Sequence, residues 1–150
     1  MTGAARVHVF RLHRGEDLRG GIEAYAAQHG IGAAAVASCA GCVSCFRIRG
    51  ADGATVHEGE GRFEIVSLTG TVSANGCHLH VAFAGEDLRA FGGHLLAGCT
   101  VNTTAEIVLL QAQAMAFERA YDSQTGYREL VIREDAEGGE ESRRDAASAL

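Results

Sequence analysis

The 150-residue sequence has no proline, no tryptophan and no lysine, and aromatic residues make up only 6% of it. Each absence narrows the reading. Without proline, turns must be built from the twenty glycines and from Asn and Asp. With few aromatic rings, the core must come from Val, Ile, Leu and Ala, within an apolar share of 47%. No run of about 18 apolar residues occurs, so no membrane-spanning helix is expected. The opening "MTGAARVHVFRLHRGE" lacks the apolar stretch of a secretory signal, which makes a cytoplasmic protein the default expectation. All thirteen basic residues are arginines, and acids outnumber them, for a net charge of −6. Six acids and two arginines fall in residues 134–150, so that segment alone carries −4. Neither it nor the mildly acidic remainder has the basic footprint of a nucleic-acid-binding surface.

The length fits one domain. Residues 1–133 are expected to form it, and 134–150, with almost no large apolar side chain, are expected to be a disordered acidic tail. "ARVHVFRLH" alternates as a strand. Leu18, Ile22, Tyr25 and Ala26 then fall at helical spacing after Asp17, a capping residue, and Gly30 is a natural stop. This predicts a helix over about 17–28, weakened by Gly20 and Gly21. Beyond it the pattern has period two. "AAAVASCAGCVSCFRIRG" predicts one long strand, or two broken at Gly41. A strand over 62–72 would put Phe63 and Ile65 on one face and Glu64, Val66 and Leu68 on the other, with both faces covered. Asn75-Gly76 is a hairpin turn signal leading into a strand at 77–84. "TVNTTAEIVLLQAQAMAFERAY" suits a strand pair or a helix; its β-branched start favours strands. The class that results is α+β, a mostly antiparallel sheet with one main packed helix.

Three cysteines, Cys39, Cys42 and Cys45, form a C-x-x-C-x-x-C run that suggests a cluster or zinc site. A strand sends Cys39 and Cys42 to opposite faces, however, and no fourth cysteine follows closely. Buried small apolar side chains are the better reading. No nucleotide-binding loop and no nucleophile elbow is present.

The stretch "CHLH", Cys77 to His80, is more informative. On a strand, Cys77, Leu79, Val81 and Phe83 share one face, and His78, His80, Ala82 and Ala84 share the other. His78 and His80 then project side by side, roughly 6–7 Å apart at Cα, a spacing from which two nitrogens can reach one ion at about 2.0–2.1 Å. His94, in "FGGHLLAG", is the leading third ligand, on a loop or short strand that the glycines allow to return beside the pair. Three histidines with an open fourth position favour zinc or another divalent first-row metal. The alternative is a pair of ordinary polar side chains on a solvated sheet face. A metal-bound water would be a nucleophile near neutral pH, with Glu64 or Glu106 as base or as partner to a ligand, although salt bridging or capping explains those acids equally well. His8, His13, His29 and His57 read as surface or cap residues.

Taken in order, "FRLHRGEDLRGGIEAYAAQHGI", "GRFEIVSLTGTVSANGCHLHVAF", "GGHLLAGCTVNTTAEIVL" and "YDSQTGYRELVI" resemble the plant-and-prokaryote conserved (PPC, or PCC) domain, over about Val7 to Ile132. The resemblance implies an antiparallel sheet with a packed helix, assembly as a homotrimer, and kinship with plant AT-hook proteins that bind AT-rich DNA. It also implies metal binding at His78, His80 and His94, as in some prokaryotic members. "GRFEI", Gly61 to Ile65, resembles a segment tied to partner contacts in plants, which singles out Arg62 and Glu64. The chain departs from the family in lacking an AT-hook core and in carrying Ala97, Ser123 and Arg128 where bacterial relatives are expected to have proline. The expected function is that of a stand-alone, homotrimeric PPC-domain protein with a DNA-binding or regulatory role and a histidine metal site. DNA is an unfavoured partner by charge unless Arg47, Arg49 and Arg62 form a patch by symmetry. The alternative is a small zinc-dependent enzyme or a metabolite-binding protein.

Overall fold

The computed structural model describes residues 2–134. The predicted disordered tail lies outside the described residues except for Glu134, which ends the last strand. The elements run β1 (Ala5–His13), α1 (Leu18–Gln28), β2 (Ala33–Arg49), β3 (Val56–Ser73), β4 (Gly76–Ala84), β5 (Ala90–Leu95), β6 (Val101–Ala112), β7 (Met115–Tyr121) and β8 (Arg128–Glu134). Six strands form one sheet in the order β1-β6-β2-β3-β4-β5, and β5 also pairs with β2, so strands β2 to β5 close on themselves. Every pairing is antiparallel, and β7 and β8 form a separate hairpin. The α+β class with one helix is therefore what the chain adopts.

The helix begins where the sequence signalled. Asp17 is extended and its carboxylate accepts from the Gly20 amide at 2.7 Å, satisfying one free donor of the first turn. Its other oxygen accepts from the Gly98 amide at 2.6 Å, tying the helix start to the loop before β6. Leu18, Ile22 and Ala26 are buried against the sheet. Gly21, which local propensity counts against a helix, is needed for packing. A Cβ there would meet the Leu12 side chain at 2.6 Å, so its absence lets α1 lie close on β1.

Two expectations are corrected by bulges. In β3, Ile65 and Leu68 are both in the core although three residues apart, because the register against β4 slips between Ile65 and Ser67. The extra residue, Val66, turns outward and is 59% exposed, so β3 is not covered on both faces. In β2 a similar slip between Val36 and Ser38 puts Val36 and Cys39 in one core, and the strand runs unbroken past Gly41. The turn before β4 sits one residue earlier than the Asn-Gly signal, at Ala74 and Asn75, with Gly76 opening the strand. The stretch 101–121 is indeed two strands, yet they do not pair with each other. A turn with Ala114 at φ +59° sends β7 away from the sheet to meet β8.

Candidate metal centre

Strand β4 alternates as its sequence dictates. Cys77, Leu79, Val81 and Phe83 are buried, while His78 and His80 face outward. The antiparallel register then sets His94 of β5 directly opposite His80. His94 also faces Arg49 across the short β2–β5 pairing, so it belongs to a strand fixed on both sides. The glycines before it do not provide a flexible return. A Cβ on Gly92 would lie 2.3 Å from the Val81 carbonyl oxygen and one on Gly93 would lie 2.5 Å from that of Arg49. They permit close approach.

The three imidazoles converge. Ring centroids stand 5.0 Å apart for His78–His80 and His78–His94, and 5.5 Å for His80–His94. One nitrogen from each ring lies within 4.8 Å of the others. The His78 and His80 Nε2 atoms are 3.1 Å apart, close to the roughly 3.3 Å that separates two nitrogens on one tetrahedral zinc. His94 Nδ1 is buried without a hydrogen-bond partner. Burial, then the Arg49 charge, pushes the His94 pKa down to about 4, and burial followed by Arg119 lowers that of His78. Both rings are therefore neutral, with a lone pair to offer, at physiological pH. By spacing and donor type, the trio fits a divalent transition metal.

The trio sits in an open cleft of about 600 Å3. Arg19, Arg49, Arg119 and Arg128 border it, with Tyr127 and one acid facing in beside them, Glu129. The β7–β8 hairpin supplies four of these six, and Asn75 docks it. Asn75 Oδ1 accepts from the Arg119 amide at 3.0 Å, and Asn75 Nδ2 donates to the Arg119 carbonyl at 3.4 Å.

The other residues singled out in the sequence fall elsewhere. Glu64 and Glu106 are exposed and do not line the cleft. Arg62 pairs with Glu86 at 2.7 Å and Arg47 with Glu58 at 3.5 Å, while Arg49 turns into the cleft. Cys39 is buried, and burial pushes its thiol up to about 12, so it keeps its proton. Cys42 contacts Thr103 and Cys45 donates to the Gly98 carbonyl, each away from the histidines. His8 bonds Gln111 and His29 closes the helix. Arg49 was singled out only for a nucleic-acid patch, and Arg19, Arg119 and Arg128 were missed because no local pattern marks them; Arg49 reaches the cleft through the β2–β5 closure, Arg19 from α1, and the other two through the docking of the hairpin.

A sheet closed at one end, one packed helix and a converging histidine set define a small α+β domain with the donor set of a transition-metal site. The chain belongs to the Plants and Prokaryotes Conserved (PCC) domain family, whose model matches residues 1–113. Among solved structures it resembles a hypothetical protein from Salmonella cholerae-suis, with 34% identity and a TM-score of 0.87 over 89% of this chain and 97% of that one. It also resembles a metal-containing protein from Archaeoglobus fulgidus, with 30% identity and a TM-score of 0.72 over 87% of this chain and 96% of that one. A curated relative, the bifunctional protein GlmU of Synechococcus sp. (strain JA-3-3Ab), is 41% identical over 91% of this chain, which spans 22% of that protein's length.

Proposed function

We propose that this chain is a metal-dependent binding module in which His78, His80 and His94 hold one divalent ion, zinc by preference, with a coordination position open to a small molecule in the cleft. The observation that carries this is the convergence of three imidazole nitrogens within 4.8 Å of one another. A relative of similar fold that is itself metal-containing supports it. When bound, such an ion supplies Lewis acidity. Glu129 is then the carboxylate placed to hold a proton, which keeps a small zinc enzyme as the second reading. DNA is disfavoured as the main ligand, because Arg47 and Arg62 are each paired with an acid and the phosphate backbone demands free cations. Exposed Arg62 and Glu64 on β3 remain suited to a protein partner. The domain proper is proposed to be residues 1–133, followed by the acidic tail.

Elemental analysis of tag-free protein is expected to give close to one metal ion per chain. The double variant His78→Ala/His80→Ala should retain less than a tenth of that, since a single histidine is left. Full metal in that variant would place the ion elsewhere.

The module is proposed to act as a homotrimer. Val7 (59% exposed), Val9 (70%) and Leu110 (40%) form an apolar stripe on β1 and the adjoining β6, with Val7 directly opposite Leu110. A second copy would cover it. Light scattering should return three times 15.7 kDa, and Val9→Asp should shift the mass toward the monomer. A monomer mass for the unaltered chain would overturn the assembly.

A further inference from the structure

Among the five ion pairs of the described residues, none includes Arg49, Arg119 or Arg128. Arg128 spends its guanidinium on the Arg119 carbonyl, at 2.6 and 3.1 Å. Arg19 is held by Glu23 and by the Leu95 and Cys77 carbonyls. Arg49 and Arg119 differ. Arg49 makes no side-chain hydrogen bond among the described residues, and its Nε is buried without a partner. Arg119 donates to Thr71 Oγ1 at 2.7 Å and to His78 Nδ1 at 3.2 Å, and its Nε is likewise buried and unpartnered. A buried guanidinium nitrogen without an acceptor is costly. Two of them, on side chains that line one cleft, need the same kind of group.

The Arg119–His78 contact adds a second argument. A neutral His78 that accepts from Arg119 at Nδ1 carries its proton on Nε2. An imidazole that ligates through Nε2 carries the proton on Nδ1 instead, and a guanidinium has no lone pair to receive it. His78 ligation and the Arg119–His78 hydrogen bond are therefore alternatives. Once His78 ligates, Arg119 loses its acceptor there and becomes free for another.

We propose that Arg49 and Arg119 form an anion clamp over the histidine trio, one that takes a small dianion bearing carboxylate or phosphate oxygens. This rests on the three-histidine metal reading above. One oxygen of the ligand would occupy the open position and others would bridge the two guanidinium forks, which suit planar or tetrahedral oxyanions. Among the described residues the only acid lining the cleft is Glu129, which leaves the four arginines in excess and selects against cationic ligands. Arg119 and Arg128 lie on the β7–β8 hairpin, beyond residue 113 where the match to the family model ends.

Calorimetric titration of the full chain, as purified with its metal, tests the proposal, with inorganic phosphate, malonate and neutral glycerol as probes. At least one of the two anions should bind and glycerol should not; which anion binds tighter assigns the oxygen group. Arg49→Gln and Arg119→Gln should each raise the dissociation constant at least about tenfold, the loss of a charge-assisted hydrogen bond, while elemental analysis still finds one ion per chain. The two failures are distinct. Protein without metal defeats the reading on which the clamp rests. Metal-loaded protein that binds neither anion, or binds with unchanged affinity in both variants, overturns the clamp. So does Arg49→Gln protein that loses its oligomeric state and not its anion affinity, since Arg49 would then be an intersubunit ion-pair partner. Arg49→Gln also keeps the test open if Arg119→Gln fails to fold.

Discussion

Gly70→Ala is expected to lower the thermal midpoint by about 10 °C and to strip the chain of metal. Gly70 lies in β3 opposite Leu79, between the levels of the two β4 histidines, with φ at +137°. That backbone conformation is strained for any residue with a side chain. A Cβ would also stand 1.9 Å from the His78 carbonyl oxygen and 2.9 Å from the Leu79 Cα. Both are backbone atoms, so relief requires β3 and β4 to part at the point where the histidines are held. Strain and overpacking together cost about 3 kcal/mol or more, which gives that shift in a domain of this size. Gly76→Ala is the control. It shares a positive φ, +125°, and meets nothing within 4 Å, so its smaller loss measures the strain alone. A Gly70→Ala protein with the original midpoint and full metal would mean that the strands are not held this closely.

Phe83→Ala should destabilise as much and leave the metal in place. Phe83 is fully buried on the core face of β4. Its ring lies 6.0 Å from Phe91 and 6.3 Å from Phe46, which in turn packs on Phe63 at 5.0 Å. Removing a buried phenyl costs about 3–5 kcal/mol, as lost transfer energy plus the cavity left behind. His80 points the other way from the same strand, so the folded fraction should still carry one ion per chain. Chemical denaturation gives the first quantity and elemental analysis the second. A loss under about 1 kcal/mol would show that the four rings repack around the gap.

The contrast between these positions also shows what was readable in the sequence. Residues 77–84 could be split into faces by alternation because β4 itself contains no bulge, and both histidines landed where period two put them. The same rule failed for Leu68, because a bulge at Val66 adds one residue and no composition signal announces it. His94 was a candidate through the glycines before it, and the family resemblance supported it. The thirteen residues between His80 and His94 have no period of their own, and only the register places the two rings face to face. Arg49 and Arg119 were illegible as site residues. One reaches the cleft through a strand pairing some 46 residues away in sequence, the other through an Asn75 side chain that imitates a strand partner. The loudest pattern, the cysteine triplet, matched its expected burial only at Cys39, while Cys42 and Cys45 are half-buried and bond to Thr103 and Gly98 instead.

The closure of the sheet has a kinetic consequence. Strands β2 and β5 join through only two residue pairs, Ile48–Leu95 and Arg49–His94, and β5 is the shortest strand of the main sheet. An ion held as proposed by the three imidazoles would escape fastest when one ligand swings away, and His94, though paired on both sides, lies on the shortest strand, beside its two-pair seam with β2. The residence time of such an ion and the opening of that seam would then run on one clock. A ligand bridging Arg49 to the ion would slow both, because it spans the seam that must open first.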